Sequence, residues 1–119
     1  PRARPQEAQR LTTITKRADF VAANFGLRAT TPAFVLLVRD RKDSDATIRV
    51  GFTVTKKIGG AVVRNRMKRR FRALAREIMP AKGFAGADHV MIGRAKGIER
   101  DFSQMRSELA GALDWLRKQ

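Results

Sequence analysis

The chain of 119 residues contains no cysteine and one histidine, His89. Without thiols there are no disulfide scaffolds, thiol nucleophiles or cysteine-based zinc sites, and a reducing compartment fits. Without a second histidine there is no histidine cluster. Long apolar runs are missing as well. The longest, Ala33 to Val38, falls far short of a bilayer span. The basic N-terminus has no apolar stretch behind it, so no secretory signal is expected and a cytoplasmic location is the expectation. No Walker-type loop or G-x-G-x-x-G occurs, and no carboxylate cluster suited to two catalytic metals is evident.

Acidic residues are scarce. Asp plus Glu number 11 against 26 Lys plus Arg, a formal charge of +15. Such an excess opposes compaction by self-repulsion unless a polyanion relieves it. Nucleic acid is the leading partner and an anionic membrane surface the second. Hydrophobic residues make up 43%, enough for a folded core in one domain of this length.

Residues 1–10 are read as a flexible basic arm, and 11–119 as a single domain. A short helix is predicted over 15–25, where Ile14, Ala18, Val21 and Phe25 form one apolar stripe. That phase leaves Phe20 on the polar face, either a stacking platform for a nucleobase or an ordinary partly exposed aromatic. Ala33 to Arg39 reads as a buried strand, with residues 28–32 as an extension or edge strand before it. Thr47 to Thr55 alternates: Ile48, Val50, Phe52 and Val54 face a core, while Arg49, Gly51, Thr53 and Thr55 face the other way, open to a ligand. A long helix runs from Ala61 to Met79 and is stopped by Pro80. Asp88 to Arg94 reads as a strand. A last helix, Asp101 to Lys118, is capped by Asp101, with Gln104 three residues on. The fold class is α+β with a small sheet.

Between Ala46 and Arg76 there is no acidic residue, yet Arg49, Lys56, Lys57 and seven cations of the long helix lie there. On a helical wheel Val63, Met67, Phe71, Leu74 and Ile78 form a narrow core stripe. Arg64, Lys68, Arg69, Arg72 and Arg76 share an arc of roughly 140° with Asn65 inside it, and Arg66 and Arg70 lie on the far flank. Five cations on one arc repel one another. Phosphates satisfy that geometry, since arginine binds them bidentately and asparagine can read a sugar or base edge. Elsewhere the chemistry is thin. His89 beside Asp88 could serve acid–base work but reads better as a structural strand residue. Asp40, Asp43 and Asp45 lack calcium-loop spacing and form a solvated turn. Trp115 reads as packing.

The stretch Lys56-Lys57-Ile58-Gly59-Gly60-Ala61-Val62-Val63-Arg64-Asn65-Arg66-Met67-Lys68-Arg69, with Arg72 after it, closely resembles the protein component of bacterial ribonuclease P. A looser similarity extends from about Leu11 to Lys118. The resemblance implies a small two-layer α/β sandwich, order αβββαβα, with a left-handed βαβ crossover. It implies the protein subunit of a ribonucleoprotein endonuclease that removes the 5′ leader of precursor tRNA. The RNA subunit carries the hydrolysis with magnesium, which the protein does not bind alone. Expected partners are ribonuclease P RNA and precursor tRNA, with no membrane and no small-molecule substrate. Lys56, Lys57, Arg64, Asn65, Arg66, Lys68, Arg69, Arg72 and Arg76 would meet the RNA subunit. Phe20, Lys16, Arg49, Thr53 and Thr55 would form the leader cleft. Where family members carry further cleft aromatics this sequence has Asn24 and Leu37, and Gly60 replaces a usual Asn. A ribosomal-type RNA-binding protein is the alternative. A stand-alone nuclease and a DNA-binding architectural protein are more distant ones.

Overall fold

The computed structural model describes residues 10–119; the basic arm expected over 1–10 falls almost wholly outside them. In chain order the elements are β1 (Leu11–Thr13), α1 (Arg17–Ala23), β2 (Leu27–Thr30), β3 (Phe34–Asp40), β4 (Ile48–Thr53), α2 (Ala61–Lys82), β5 (Ala87–Gly93), a 3-10 turn (Ala95–Gly97) and α3 (Phe102–Arg117). The expected order of helices and strands is kept, with one addition, the short strand β1. Its sequence, Leu-Thr-Thr, carries no strand pattern. It forms because β4 offers an edge, pairing Leu11 with Ile48 and Thr13 with Val50 in parallel.

The five strands lie in the order β1-β4-β5-β3-β2. β4 and β5 are parallel neighbours, so α2 is the crossover between them; β3 runs antiparallel to β5, and β2 to β3. The continuous apolar run of β3 follows from its central place, because both of its faces are covered. Phe34, Leu36 and Val38 join the core beneath α2 and α3, while Leu37 joins a smaller cluster with Ile14, Ala23 and Val90 beneath α1. Phe34 meets Phe71 of α2 edge to face, with ring centres 5.6 Å apart.

The stripe of α2 holds at its centre, with Val63 and Ile78 at its ends only half-buried, and it is wider than predicted. Met67, Phe71 and Leu74 are buried, and so are Ala75 and Met79. Pro80 does not stop this helix, which continues to Lys82. So near the C-terminus, Pro80 forgoes only one bond to the preceding turn, and the Met79 carbonyl still accepts from Gly83 N–H at 2.8 Å. The Asp101 carboxylate caps α3 by accepting from the N–H groups of Ser103 and Gln104.

α1 departs from expectation in phase. Ala23 is fully buried and Phe20 packs beneath the helix, whereas Ala18, Val21 and Phe25 are exposed. The reason is local. Residues 14–16 are not helical, and Ile14 extends the β1 ladder by donating to Val50 O at 2.7 Å. Counting 100° per residue from Ile14 therefore starts the wheel on a residue outside the helix.

Candidate nucleic-acid interface

The sequence of α2 separates its cations into two kinds. Arg70 is spent on the fold: its guanidinium donates to the carbonyls of Gly97 and Arg100 at 3.4 and 2.5 Å. Arg64 donates through Nε to Gly59 O at 3.2 Å, which ties it to the loop before the helix. Arg66 stands 3.9 Å from Glu99, an exposed and weak pair. Arg72 lies over the Phe52 ring, 5.8 Å from its centre. Lys56, Lys57, Lys68, Arg69 and Arg76 form no ion pair with another described residue. The acids that could neutralise them are committed elsewhere. Glu108 holds Arg100, Asp114 holds Lys82, and Glu77 holds Arg106. The outer arc of α2 and the loop before it therefore keep their positive charge.

Beside this arc lies a cleft of about 530 Å³. One wall is α1, through Arg17, Phe20, Val21 and Asn24. Leu37, Val90 and Ile92 form the floor. Phe52, Thr53, Val54 and Lys68 form the opposite wall. Of the residues expected there, Phe20 and Thr53 line it. Lys16 and Thr55 are exposed but outside its lining. Lys68, expected against the RNA subunit, lines the cleft too, so one cation joins arc and cleft. The wheel placed Lys68 on the arc; only the crossover from β4 through α2 to β5 brings it to the rim.

Arg49 and Gly51 correct the expectation of an open, basic face on β4. The Phe20 ring covers Gly51 so closely that a Cβ there would lie 2.5 Å from Phe20 Cε1. Arg49 turns from the cleft to Asp88, donating through Nε and Nη2 at 2.6 and 2.7 Å, and reaches Asp19 of α1 at 3.3 Å. Arg41 adds a third bond to Asp88 at 3.2 Å. Burial of Asp88 works to raise its carboxyl pKa, but the hydrogen bonds from Arg49 and Arg41 outweigh it and hold the pKa below the usual value. The same bonds raise Arg49. This bridge fastens α1 to the sheet. Sequence reasoning missed it because nothing in the separate segments 19, 49 and 88 signals that register pairs Arg49 with Asp88.

His89 is likewise structural. Its Nδ1 donates to Arg49 O at 3.2 Å and its Nε2 accepts from Phe84 N–H at 3.0 Å, the arrangement of a neutral ring. Burial pushes its pKa down to about 4.

A positive arc and an adjoining half-apolar cleft suit RNA, and comparison with known proteins sharpens that. The family profile described as Ribonuclease P matches residues 8–117. The chain belongs to the ribonuclease P protein family. A relative from Erythrobacter litoralis, "Ribonuclease P protein component", is 59% identical over 100 residues, covering 84% of this chain and 81% of its own. One of the same name from Paramagnetospirillum magneticum is 39% identical over 110 residues, covering 89% and 83%. Solved ribonuclease P proteins share the fold. That of Staphylococcus aureus matches with a TM-score of 0.74 at 28% identity, over 87% of this chain and 94% of its own. That of Thermotoga maritima matches with 0.70 at 30% identity, over 85% and 94%. Among the described residues no three His, Asp or Glu side chains gather to hold a metal ion, and both Asp88 oxygens are taken by arginines.

Proposed function

We propose that this protein serves ribonuclease P as a cationic bridge between two RNAs. Membership of the family makes it the protein subunit of that enzyme, in tRNA 5′ processing. In our reading the outer arc of α2, with Lys56, Lys57, Asn65, Arg69, Arg72 and Arg76, lies against the catalytic RNA. The cleft takes the single-stranded 5′ leader of precursor tRNA. The observation that carries this is Lys68, a cation in the row of the arc that pairs with no other described residue and also lines the cleft.

The division of labour follows from charge. Two RNAs repel, and a cationic surface between them releases counterions and lowers that repulsion. In the cleft, Arg17 and Lys68 supply phosphate partners from opposite walls, Phe20 offers an aromatic surface, and the Thr53 hydroxyl and Asn24 amide can meet sugar or base edges. Phosphodiester hydrolysis belongs to the RNA subunit with magnesium held mainly by that RNA. The acids here are engaged by arginines or dispersed. The site of action is the cytoplasm, with precursor tRNA.

Reconstitution tests this. Added to ribonuclease P RNA at low magnesium, the protein restores cleavage of precursor tRNA at the mature 5′ end; alone, it leaves the substrate intact. A protein that binds RNA without restoring cleavage would return the ribosomal-type alternative. Cleavage by an RNA-free sample would overturn the assignment of chemistry to the RNA.

A further inference from the structure

Phe25 is 86% exposed, the most open of the large apolar side chains described. It contributes nothing to either core cluster. Its position is specific, however. It directly follows Asn24, the C-cap of α1, which lines the cleft. Val21, one turn earlier, lines the cleft and is half exposed. On its other side Phe25 borders a second groove of about 420 Å³, lined also by Leu27, Arg39, Lys42 and Phe84. The cleft thus reaches Asn24, and the second groove begins one residue later.

The charge of this second groove favours a polyanion. The Arg39 and Lys42 side chains form no ion pair with another described residue. The one acid in the lining is Asp40, whose carboxylate accepts the backbone N–H of Lys42. An exposed aromatic between two grooves that both carry cations has the composition of a single-strand track: stacking surface flanked by phosphate partners.

We propose that the RNA track continues beyond the cleft. Phe25 is a stacking platform for a leader nucleobase upstream of those in the cleft, and Arg39 and Lys42 take the phosphates that follow. The occupant is the same single-stranded leader, so the proposal rests on the reading of the cleft as the leader site.

A series of precursor tRNAs decides it, with leaders from a few nucleotides, enough for the cleft alone, to more than a dozen. Each is titrated against holoenzyme carrying wild type, Phe25→Ala, Phe25→Trp or Arg39→Ala. Phe25→Ala weakens binding of the long-leader substrates by roughly fivefold to tenfold, the low end of one base–aromatic stack. It leaves short-leader and mature tRNA unchanged, and its thermal unfolding matches wild type. Phe25→Trp keeps the long-leader affinity, and Arg39→Ala loses part of it. Equal affinity of Phe25→Ala and wild type at every length overturns the proposal, as does a loss independent of length. A wild-type dimer that Phe25→Ala turns into monomers, with RNA binding intact, assigns the surface to self-association instead. If wild-type holoenzyme binds short-leader and mature tRNA alike, the cleft reading itself falls; if it separates them but gains nothing from longer leaders, only the extension falls.

Discussion

Phe20 combines packing with exposure to the cleft. Its ring lies on Gly51 and joins Ile14, Ala23, Leu37 and Val90, yet one side of it remains in the cleft lining. Truncation therefore opens a partial void rather than a full core cavity. Phe20→Ala is expected to cost about 2 kcal/mol, below the range for a fully buried ring. Phe25→Ala should stay within about 0.5 kcal/mol of wild type, as surface changes do. Urea unfolding of the two variants checks this, and the reverse order of stabilities would restore the helix phase that the sequence suggested. A milder change, Phe20→Leu, separates stability from leader binding, because it fills much of the void but offers no ring. His89 gives a second prediction at this scale. Its folded pKa of about 4 lies below the ordinary 6.5, so the unfolded chain takes up the proton first. Its contribution is complete above about pH 6.5 and is lost as pH falls toward about 4, amounting to about 3 kcal/mol over that interval. Asp43, Asp45 and Asp88 are held below their ordinary value by hydrogen bonds, so their contribution is lost at lower pH than that of His89. Urea midpoints across the window should fall with decreasing pH. A flat profile would mean that the imidazole can charge inside the fold.

Among the elements, α2 begins without a side-chain cap. Gly60 occupies the N-cap in an extended conformation, and a Cβ placed on it would meet nothing within 4 Å. Gly60→Asn should therefore fit, cap the first turn and stabilise the fold by about 0.5 kcal/mol, since glycine is only slightly the poorer cap. A lower melting temperature for this variant would show that the loop needs glycine for another reason. Much of α2 was legible in the sequence, because a long helix repeats its pattern often enough to fix its phase. Val63, Met67, Phe71 and Leu74 recur over several turns, and the cations fill what is left. α1 was not, because a helix of seven residues gives two turns of evidence and the apolar Ile14 next to it belongs to a strand. β1 was invisible for a related reason: its pairing with β4, not its own residues, makes it a strand. The cleft was legible only in part. Thr53 follows from strand alternation, but Arg49 points to the same face and is withdrawn by Asp88, a partner that only the sheet register reveals.

The whole molecule carries +15 on a small surface, and its response to salt should have two opposite signs. Without RNA, the cations of α2 and its preceding loop repel one another across distances that salt screens effectively, since the Debye length is about 8 Å near physiological ionic strength. Raising salt should therefore raise the melting temperature of the free protein. The exposed pairs Arg106–Glu77 and Lys82–Asp114 pull the other way, but surface pairs are individually weak. Binding to the RNA subunit should instead fall steeply with salt, because each neutralised phosphate releases counterions. Two neighbouring arginines separate the effects. Arg69 is exposed and pairs with no other described residue, so Arg69→Ala should leave unfolding unchanged and reduce the slope of log K against log salt by about one unit. Arg70 holds the Gly97 and Arg100 carbonyls, so Arg70→Ala should lower the melting temperature and leave the slope alone. Isothermal titrations at several salt concentrations, paired with thermal scans, measure both. If the two variants exchange behaviours, the division of α2 into a structural flank and an RNA arc is wrong. If the free protein melts at lower temperature as salt rises, ion pairs outweigh repulsion and the excess charge is better balanced within the fold than the arrangement of its acids indicates.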